Sequence, residues 1–228
     1  MKHITEEEYM THPGLSQSGA KELLRSPRHF QAYLERDREE QTPAQRIGSL
    51  VHLASLQPSV YDDTIVVAPD CDKRTKEGKE IWAAFQSALK PGQTAITLKE
   101  SELVTDISIA ARDAIAKVQY GLGPVEEVMS EACFVTRYDG VDIKGRPDLV
   151  TKIRGCEADY VIDIKTCQSA DQDAFARDIA TYKYHLQQAF YGTLCNTGRN
   201  FIIVAIEKEP PYAWRIYTLN DEIGRAHV

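Results

Sequence analysis

Long apolar runs are missing from this sequence. No segment approaches the roughly 18 to 20 consecutive apolar residues that a membrane-spanning helix needs. The first ten residues, MKHITEEEYM, are polar and acidic, and so they lack the apolar centre of a secretory signal. We therefore expect a protein that works in the cytoplasm and has no contact with a membrane.

Paired cysteines are also missing. The five cysteines are odd in number, scattered, and never arranged as CxxC: Cys71, Cys133, Cys156, Cys167 and Cys195. This spacing argues against a disulfide framework and against a structural zinc site. We expect reduced thiols that are mostly buried or half-buried, as free cysteines usually are.

An excess of positive charge is the third absence. The chain has 27 Lys and Arg against 34 Asp and Glu, which gives a formal net charge of −7. Because domains that wrap nucleic acid are usually basic, this balance counts against such a partner. A local field can differ from the sum over the chain, however, so the net charge does not decide the matter.

Helical periodicity dominates the first half of the chain. Apolar spacing and capping residues predict helices over 15–33 (restarting at Pro27), 43–56, 77–89 and 99–120. The polar stretch 61–76 is predicted to be a solvated surface loop, which we favour over a phosphate-contacting one because charge runs are usually solvated.

Strand patterns dominate the second half. They cover residues 132–138, 141–144, 148–153, 160–165, 201–206 and 213–218, with one long helix predicted over 173–195. Asp139-Gly140 is a strong hairpin signal. We expect a single α/β domain over residues 1–228, with a mainly helical part at 1–120 and a mixed-sheet core at 121–228.

The chemistry lies in two short motifs, Gly145-Arg-Pro-Asp148 and Asp163-Ile-Lys165, with fourteen residues between Asp148 and Asp163. Because side chains alternate along a strand, Asp163 and Lys165 share one face. Antiparallel pairing of the preceding strand would bring Asp148 to the same place. Singly, each has a plain structural explanation as a turn residue, an edge charge or a solvated side chain. Jointly these explanations weaken, because an Asp among Val and Ile is costly to bury without a partner.

Converging carboxylates predict a cation. Glu131, at the mouth of an earlier strand, is a third candidate beside Asp148 and Asp163. Carboxylates repel one another unless a cation neutralises them, and oxygen ligands suit Mg²⁺, with Mn²⁺ as a substitute. Such an ion activates water and stabilises charge on a phosphate, and a neighbouring ammonium gives Lys165 a role.

These residues resemble the PD-(D/E)xK nuclease superfamily, in the branch of RecE, RecB and lambda exonuclease. Two helix motifs extend the resemblance: Gly48-x-x-x-His52 and Gln187-x-x-x-Tyr191. The resemblance implies a restriction-endonuclease-like core, a central mixed sheet flanked by helices, with additional N-terminal helices. It also implies that His52 is a metal ligand or organiser beside Glu131, Asp148 and Asp163. Gln187 and Tyr191 would contact DNA or orient the ligands, although alone they are more typical of an ordinary amphipathic helix with a half-buried tyrosine.

The resemblance is closest to the RecE-type exonucleases of prophages, and it spans residues 15–217. It implies a Mg²⁺-dependent 5′→3′ exonuclease that acts on double-stranded DNA ends, forms a ring-shaped homo-oligomer and works with a RecT-like single-strand annealing protein. Some relatives hold an iron–sulfur cluster, which the cysteine spacing here does not fit.

Several points stay open. Arg25, Arg28 and Lys183 are candidate phosphate contacts, with none preferred. An endonuclease with the same fold is one alternative, and it would cut closed circular DNA. A catalytically silent DNA-binding or assembly module is another, although such a module would not need Lys165 two residues from Asp163.

Overall fold

The computed structural model describes residues 1–36 and 41–219, and the secondary-structure elements below lie within them. The helices are α1 (Glu6–Thr11), α2 (Gln17–Arg25), α3 (Pro27–Glu35), α4 (Pro43–Leu56), α5 (Pro58–Thr64), α6 (Lys76–Ala88), α7 (Leu98–Leu122), α8 (Gln172–Tyr182) and α9 (Tyr184–Leu194). The strands are β1 (Lys2–Ile4), β2 (Leu15–Ser16), β3 (Ile65–Val67), β4 (Thr94–Ile96), β5 (Val125–Ser130), β6 (Cys133–Tyr138), β7 (Val141–Gly145), β8 (Leu149–Ile153), β9 (Tyr160–Cys167), β10 (Phe201–Glu207) and β11 (Trp214–Thr218).

A five-stranded mixed sheet forms the centre, with the strand order β11-β10-β9-β8-β5. Strands β9 and β10 are parallel, and α8 and α9 connect them, while the other pairs are antiparallel. Helices cover both faces of the sheet, so β10 is a nearly continuous apolar run, whereas β9 is interrupted by Asp163, Lys165 and Thr166. The predicted α/β class, with a mixed sheet flanked by helices, is confirmed.

Two apolar cores lie on opposite faces of this sheet. On one face Ile162 and Ile164 pack with α4 and α7, and on the other Val161 packs with Phe175 and Leu194 of α8 and α9. Helix α7 begins with a capping box, in which the side chains and backbone amides of Thr97 and Glu100 pair reciprocally. The predicted alternation along β9 is therefore confirmed.

A smaller sheet, of order β1-β6-β7-β2, carries the hairpin that leads to the motif Gly145-Arg-Pro-Asp148. Its turn residues Asp139 and Gly140 have φ values of 45° and 80°. Left-handed conformations at both positions are what a two-residue hairpin turn requires, and Asp-Gly suits them. The hairpin prediction is confirmed, but the hairpin lies outside the five-stranded sheet.

Two predictions for irregular segments were incomplete. The expected loop at 61–76 contains the end of α5 and strand β3, because the Ile65–Val67 strand finds a partner in β4, a segment distant in sequence. Strand β5 was missed because its sequence, VEEVMS, has no apolar alternation. Its first four residues are exposed at the sheet edge, so burial does not impose a pattern there.

The single helix predicted over 173–195 was wrong, since the chain breaks at Lys183. That residue takes a left-handed conformation (φ 55°), which costs a non-glycine residue on the order of 1–3 kcal/mol. A contact from another helix stabilises the break, because Nζ of Lys21 on α2 donates a hydrogen bond to the carbonyl of Tyr182 at 2.7 Å. No Gly or Pro marks this position, and the contact with Lys21 is distant in sequence.

Within the described residues, none of the helices combines the length and apolar character that crossing a bilayer requires. Cys133, Cys167 and Cys195 are buried and Cys71 is half-buried, which confirms the expected placement of the thiols, while Cys156 is exposed.

Candidate active site

The two acidic motifs meet because β8 and β9 pair antiparallel, as the sequence analysis expected. Leu149 lies opposite Ile162, so Asp148, just before β8, reaches the middle of β9. There its Oδ2 accepts a hydrogen bond from the amide of Ile164 at 2.7 Å. The two candidate acids, Asp148 and Asp163, are therefore held on neighbouring strands.

Asp163 is fully buried and divides its oxygens between two partners. Its Oδ1 accepts a hydrogen bond from Nε2 of Gln187 at 2.7 Å, and its Oδ2 forms an ion pair with the Lys165 ammonium. Oδ2 accepts no hydrogen bond of good geometry from the described part of the chain. Burial raises the pKa of Asp163 to about 6, although Lys165 beside it acts in the opposite direction.

His52, on α4, lies beside the Asp148 carboxylate. Its Nδ1 lies 3.4 Å from Oδ1 of Asp148. Burial alone would lower the pKa of His52, but the Asp148 carboxylate outweighs it and the pKa is raised. Burial likewise opposes ionisation of Asp148, yet His52, Lys165 and the Ile164 amide hold its pKa below the usual range.

Glu131 occupies the turn between β5 and β6, with a φ of 50°. Its amide donates to the carbonyl of Asp148 at 2.9 Å, which ties the turn to the site. Its carboxylate is 12% exposed and lies 2.9 Å from Nε of Arg146. Burial, followed by the nearby Asp148 charge, raises the pKa of Glu131 to about 7.

Three of the four predicted metal ligands form one group. One ligand atom from each of His52, Glu131 and Asp148 lies within 4.8 Å of the others. Asp163 is outside this group, because Lys165 and Gln187 hold its oxygens on the neighbouring strand. The structure thus brings together a three-residue candidate cation site with the Asp163–Lys165 pair beside it.

Gln187 and Tyr191 lie on the buried face of α9, one turn apart. Gln187 orients Asp163, and the Tyr191 hydroxyl donates to the carbonyl of Arg146 at 3.3 Å. Each side chain is about 8% exposed. Of the two roles that the resemblance left open, the geometry favours orientation of the ligands over contact with DNA.

Arg146 is the site residue that the sequence analysis missed. Besides Glu131, its guanidinium contacts Oε1 of Glu6 on α1 at 3.0 Å. The position of Arg146 inside Gly145-Arg-Pro-Asp148 was the available signal. Its partners could not be read from the sequence, because Glu6 is 140 residues away and Glu131 lies in an unpredicted turn.

The candidate phosphate contacts are outside this centre. Arg25 is exposed and pairs with Glu22 on its own helix at 2.8 Å, and Arg28 is exposed at the start of α3. Lys183 is half-buried at the break between α8 and α9.

A cleft of about 1370 Å³ opens onto the cation site. His52, Glu131, Arg146 and Asp148 are among its lining residues, and further walls come from α3 and α4. Of the described residues that line it, the acidic ones are Glu131 and Asp148, both in the cation group. Arg36, Lys144 and Arg146 line the same cleft, so cations outnumber acids among these residues, whereas acids outnumber cations in the whole chain.

Comparison with known proteins points to one family. The family described as "PDDEXK-like domain of unknown function (DUF3799)" matches residues 16–227. A search of curated proteins finds no match. Among solved structures, a "Putative exonuclease" from Eubacterium rectale superimposes with a TM-score of 0.62 at 17% identity, covering 99% of this chain and 81% of its own.

Two other solved structures have TM-scores too low to support an argument. The protein SSO0001 has a TM-score of 0.30 at 20% identity, covering 86% of this chain and 77% of its own. The protein VC1899 from Vibrio cholerae has a TM-score of 0.31 at 14% identity, covering 82% and 51%. At these identities the structural likeness concerns the fold, and the Eubacterium rectale structure carries it.

Proposed function

Because the chain belongs to the family of PDDEXK-like domains (DUF3799), we propose that it is a divalent-cation-dependent nuclease that hydrolyses phosphodiester bonds in DNA. The observation that carries the proposal is the group of His52, Glu131 and Asp148 beside the buried Asp163–Lys165 pair, on an open cleft. A purely structural role would not require Asp163 and Lys165 on a buried face of the sheet, because burying two charges is costly.

The donor atoms fit a divalent cation. Burial and the nearby Asp148 charge disfavour the ionised carboxylates of Glu131 and Asp163. A bound cation would lower the cost of ionising them. His52, Glu131 and Asp148 would hold it, and oxygen-rich donors favour Mg²⁺ or Mn²⁺. When bound, such an ion lowers the pKa of water and stabilises negative charge on phosphate.

Lys165 acts as a cation rather than as a base. Burial alone would lower the pKa of Lys165, but the Asp163 and Asp148 carboxylates raise it above the ordinary value. The ammonium therefore stays protonated at neutral pH. We assign it to orienting the attacking water and to stabilising the negative charge that develops on the phosphate oxygens.

Gln187 and Tyr191 are positioning residues in this scheme. Gln187 fixes one oxygen of Asp163 and so leaves the other facing Lys165. Tyr191 holds the Arg146 carbonyl, two residues before Asp148. Neither needs to touch the substrate.

For the mode of action we propose an exonuclease. The name of the Eubacterium rectale protein and the RecE-like motifs both favour it, and action on double-stranded ends is what the RecE-like motifs imply. Three further proposals rest on the resemblance to RecE-type exonucleases: the 5′→3′ direction, a ring-shaped homo-oligomer and a RecT-like annealing partner in phage-type recombination. The proposal of a cytoplasmic location rests on the amino-acid sequence.

The test compares linear with closed circular duplex DNA, with and without Mg²⁺ or Mn²⁺. The variants are Lys165→Ala and the matched control Lys152→Ala, on the adjacent strand β8, whose side chain is 46% exposed. We expect cation-dependent loss of linear DNA only, abolished in Lys165→Ala and retained in the control.

The other outcomes discriminate between the alternatives. Cutting of circles would replace the exonuclease with an endonuclease. Absence of cleavage with either cation, together with DNA binding, would overturn the nuclease proposal in favour of a binding module. Equal activity of Lys165→Ala and Lys152→Ala would remove Lys165 from the mechanism.

A further inference from the structure

We propose that Tyr33, flanked by Phe30 on α3 and by Arg36 just after that helix, forms a stacking site for an unpaired nucleobase in the cleft that leads to the cation group. The inference rests on the proposed function and names the form in which the substrate strand enters. Nothing in the catalytic scheme above uses these three side chains.

The aromatic pair is placed for stacking. The ring centroids of Phe30 and Tyr33 lie 6.4 Å apart with an interplanar angle of 17°, and both side chains line the cleft. Arg36 follows one turn later, with its Cζ 4.8 Å from the Tyr33 ring centroid. The spacing of three residues puts Phe30 and Tyr33 on one face of the helix, and Arg36, the C-cap residue just after α3, reaches the Tyr33 ring from the end of the helix.

Neither the Phe30 ring nor the Tyr33 ring is fully buried in the protein core. Every residue of α3 is at least partly exposed, and the helix packs mainly on α2. Phe30 contributes to that packing, since a Cβ at Gly19 would lie 3.0 Å from its Cε2. Phe30 is thus engaged with α2, and the half-buried Tyr33 is the ring to which we assign the stacking of a base.

The surroundings suit a nucleic-acid strand. Apart from the two carboxylates of the cation group, the charged side chains among the described cleft residues are the cations Arg36, Lys144 and Arg146. Polar side chains of α4, such as Gln45 and Ser49, line the same cleft. A cationic groove with an aromatic platform is how proteins bind single strands without reading their sequence.

The platform favours an unpaired strand over an intact duplex. Within a duplex each base is covered by its neighbours, so a side-chain ring reaches a base face only where pairing and stacking are broken. Double-stranded ends would then be used after their last pairs open. An overhang would enter without that cost.

The experiment measures base-to-ring coupling in the full chain. The inactive background is Lys165→Ala, and the ligand is a duplex with a short unpaired extension, in which one base at a time is replaced by an abasic site. Fluorescence anisotropy with Mg²⁺ present gives the Kd. We expect one abasic position to weaken binding roughly 5- to 150-fold, the range for one stacked base.

Substitutions at Tyr33 identify the ring. In Tyr33→Leu, which keeps an apolar side chain with good helix propensity, the sensitive abasic position should no longer matter, whereas Tyr33→Phe should retain it. The matched control is Tyr120→Leu, which removes a 90% exposed ring on α7, outside the described cleft lining. Thermal melts followed by circular dichroism verify that each variant is folded.

Each result decides something. Identical abasic profiles for Tyr33→Leu and its parent, or a blunt duplex that binds as tightly as the extended one, would overturn the stacking site. If the protein that retains Lys165 cleaves DNA but no abasic position weakens binding, the nuclease proposal stands and the stacking site is refuted. An abasic effect without cleavage in any cation leaves the stacking site and removes the nuclease.

Discussion

The two faces of strand β9 differ in every respect that matters for this protein. On one face Ile162 and Ile164 are fully buried against α4 and α7, and on the other Asp163 and Lys165 form a buried ion pair. Because side chains alternate along a strand, eight consecutive residues supply both a core and a reactive centre. Stability and chemistry can therefore be changed separately in the same strand.

The largest expected effect is on the chemical face. Asp148→Asn removes one charge from the cation group while keeping its shape, so we expect DNA hydrolysis to fall by at least about 10³-fold, or about 4 kcal/mol. Initial rates of nucleotide release measure it. Asp142→Asn is the control, because that carboxylate is 39% exposed and pairs with Arg137 at the surface. Comparable rates for both variants would detach Asp148 from catalysis.

On the packing face the effect should appear in stability. Ile164→Ala creates a cavity in a fully buried position, which typically costs about 2–5 kcal/mol of unfolding free energy. Ile216→Ala, on the outer strand β11 with 39% exposure, should cost less than about 1 kcal/mol. Urea denaturation gives both values. A small loss for Ile164→Ala would mean that the two faces are not separable in the way described.

The pH should change the contribution of Glu131, which lies beside the chemical face, to the free energy of unfolding. Since burial raises the pKa of Glu131 from 4.5 to about 7, its contribution favours folding at low pH and is lost as the pH rises through about 7. In the metal-free protein this single contribution should thus fall by on the order of 3 kcal/mol between about pH 4 and pH 8, and Mg²⁺ or Mn²⁺ should restore part of it.

Urea denaturation of the parent and of Glu131→Gln, in chelator, isolates this contribution. The stability of the parent relative to the variant should decline with rising pH. Two curves that run parallel would contradict a raised Glu131 pKa.

The smallest effects come from two glycines of the motifs. A Cβ at Gly145 would lie 2.6 Å from Cδ2 of Leu194 and 2.9 Å from the Tyr191 ring, so Gly145→Ala should cost about 1–3 kcal/mol. At Gly48 the nearest atom, Oγ1 of Thr166, is 3.4 Å away, and alanine favours helix. Gly48→Ala should be neutral or slightly stabilising. Thermal unfolding compares them, and a reversed order would be inconsistent with these contacts.

The sequence predicts those parts of the molecule whose signals are local or strongly periodic. The alternation in β9, the Asp139-Gly140 turn and the helices α4 and α7 belong to this class. Strand β5 and the break at Lys183 do not, because an exposed edge strand has no apolar pattern and the break depends on Lys21.

The site divides along the same line. Asp163 and Lys165 could be placed on one face from their spacing, and the pairing of β8 with β9 brings in Asp148. The residue types do not say that Asp163 turns away from the cation group toward Gln187, or that Arg146 pairs with Glu131. Those choices follow from burial, which forces each charge to find a partner.

The buried ion pair of Asp163 and Lys165 has a consequence for protein engineering. Exchange of Asp163 alone for an apolar residue would leave the largely buried Lys165 ammonium without its partner, which typically costs about 3–5 kcal/mol. Exchange of both residues for apolar residues of similar volume would instead be about neutral or stabilising. A stabilised scaffold built on this fold therefore has to replace the two charges together.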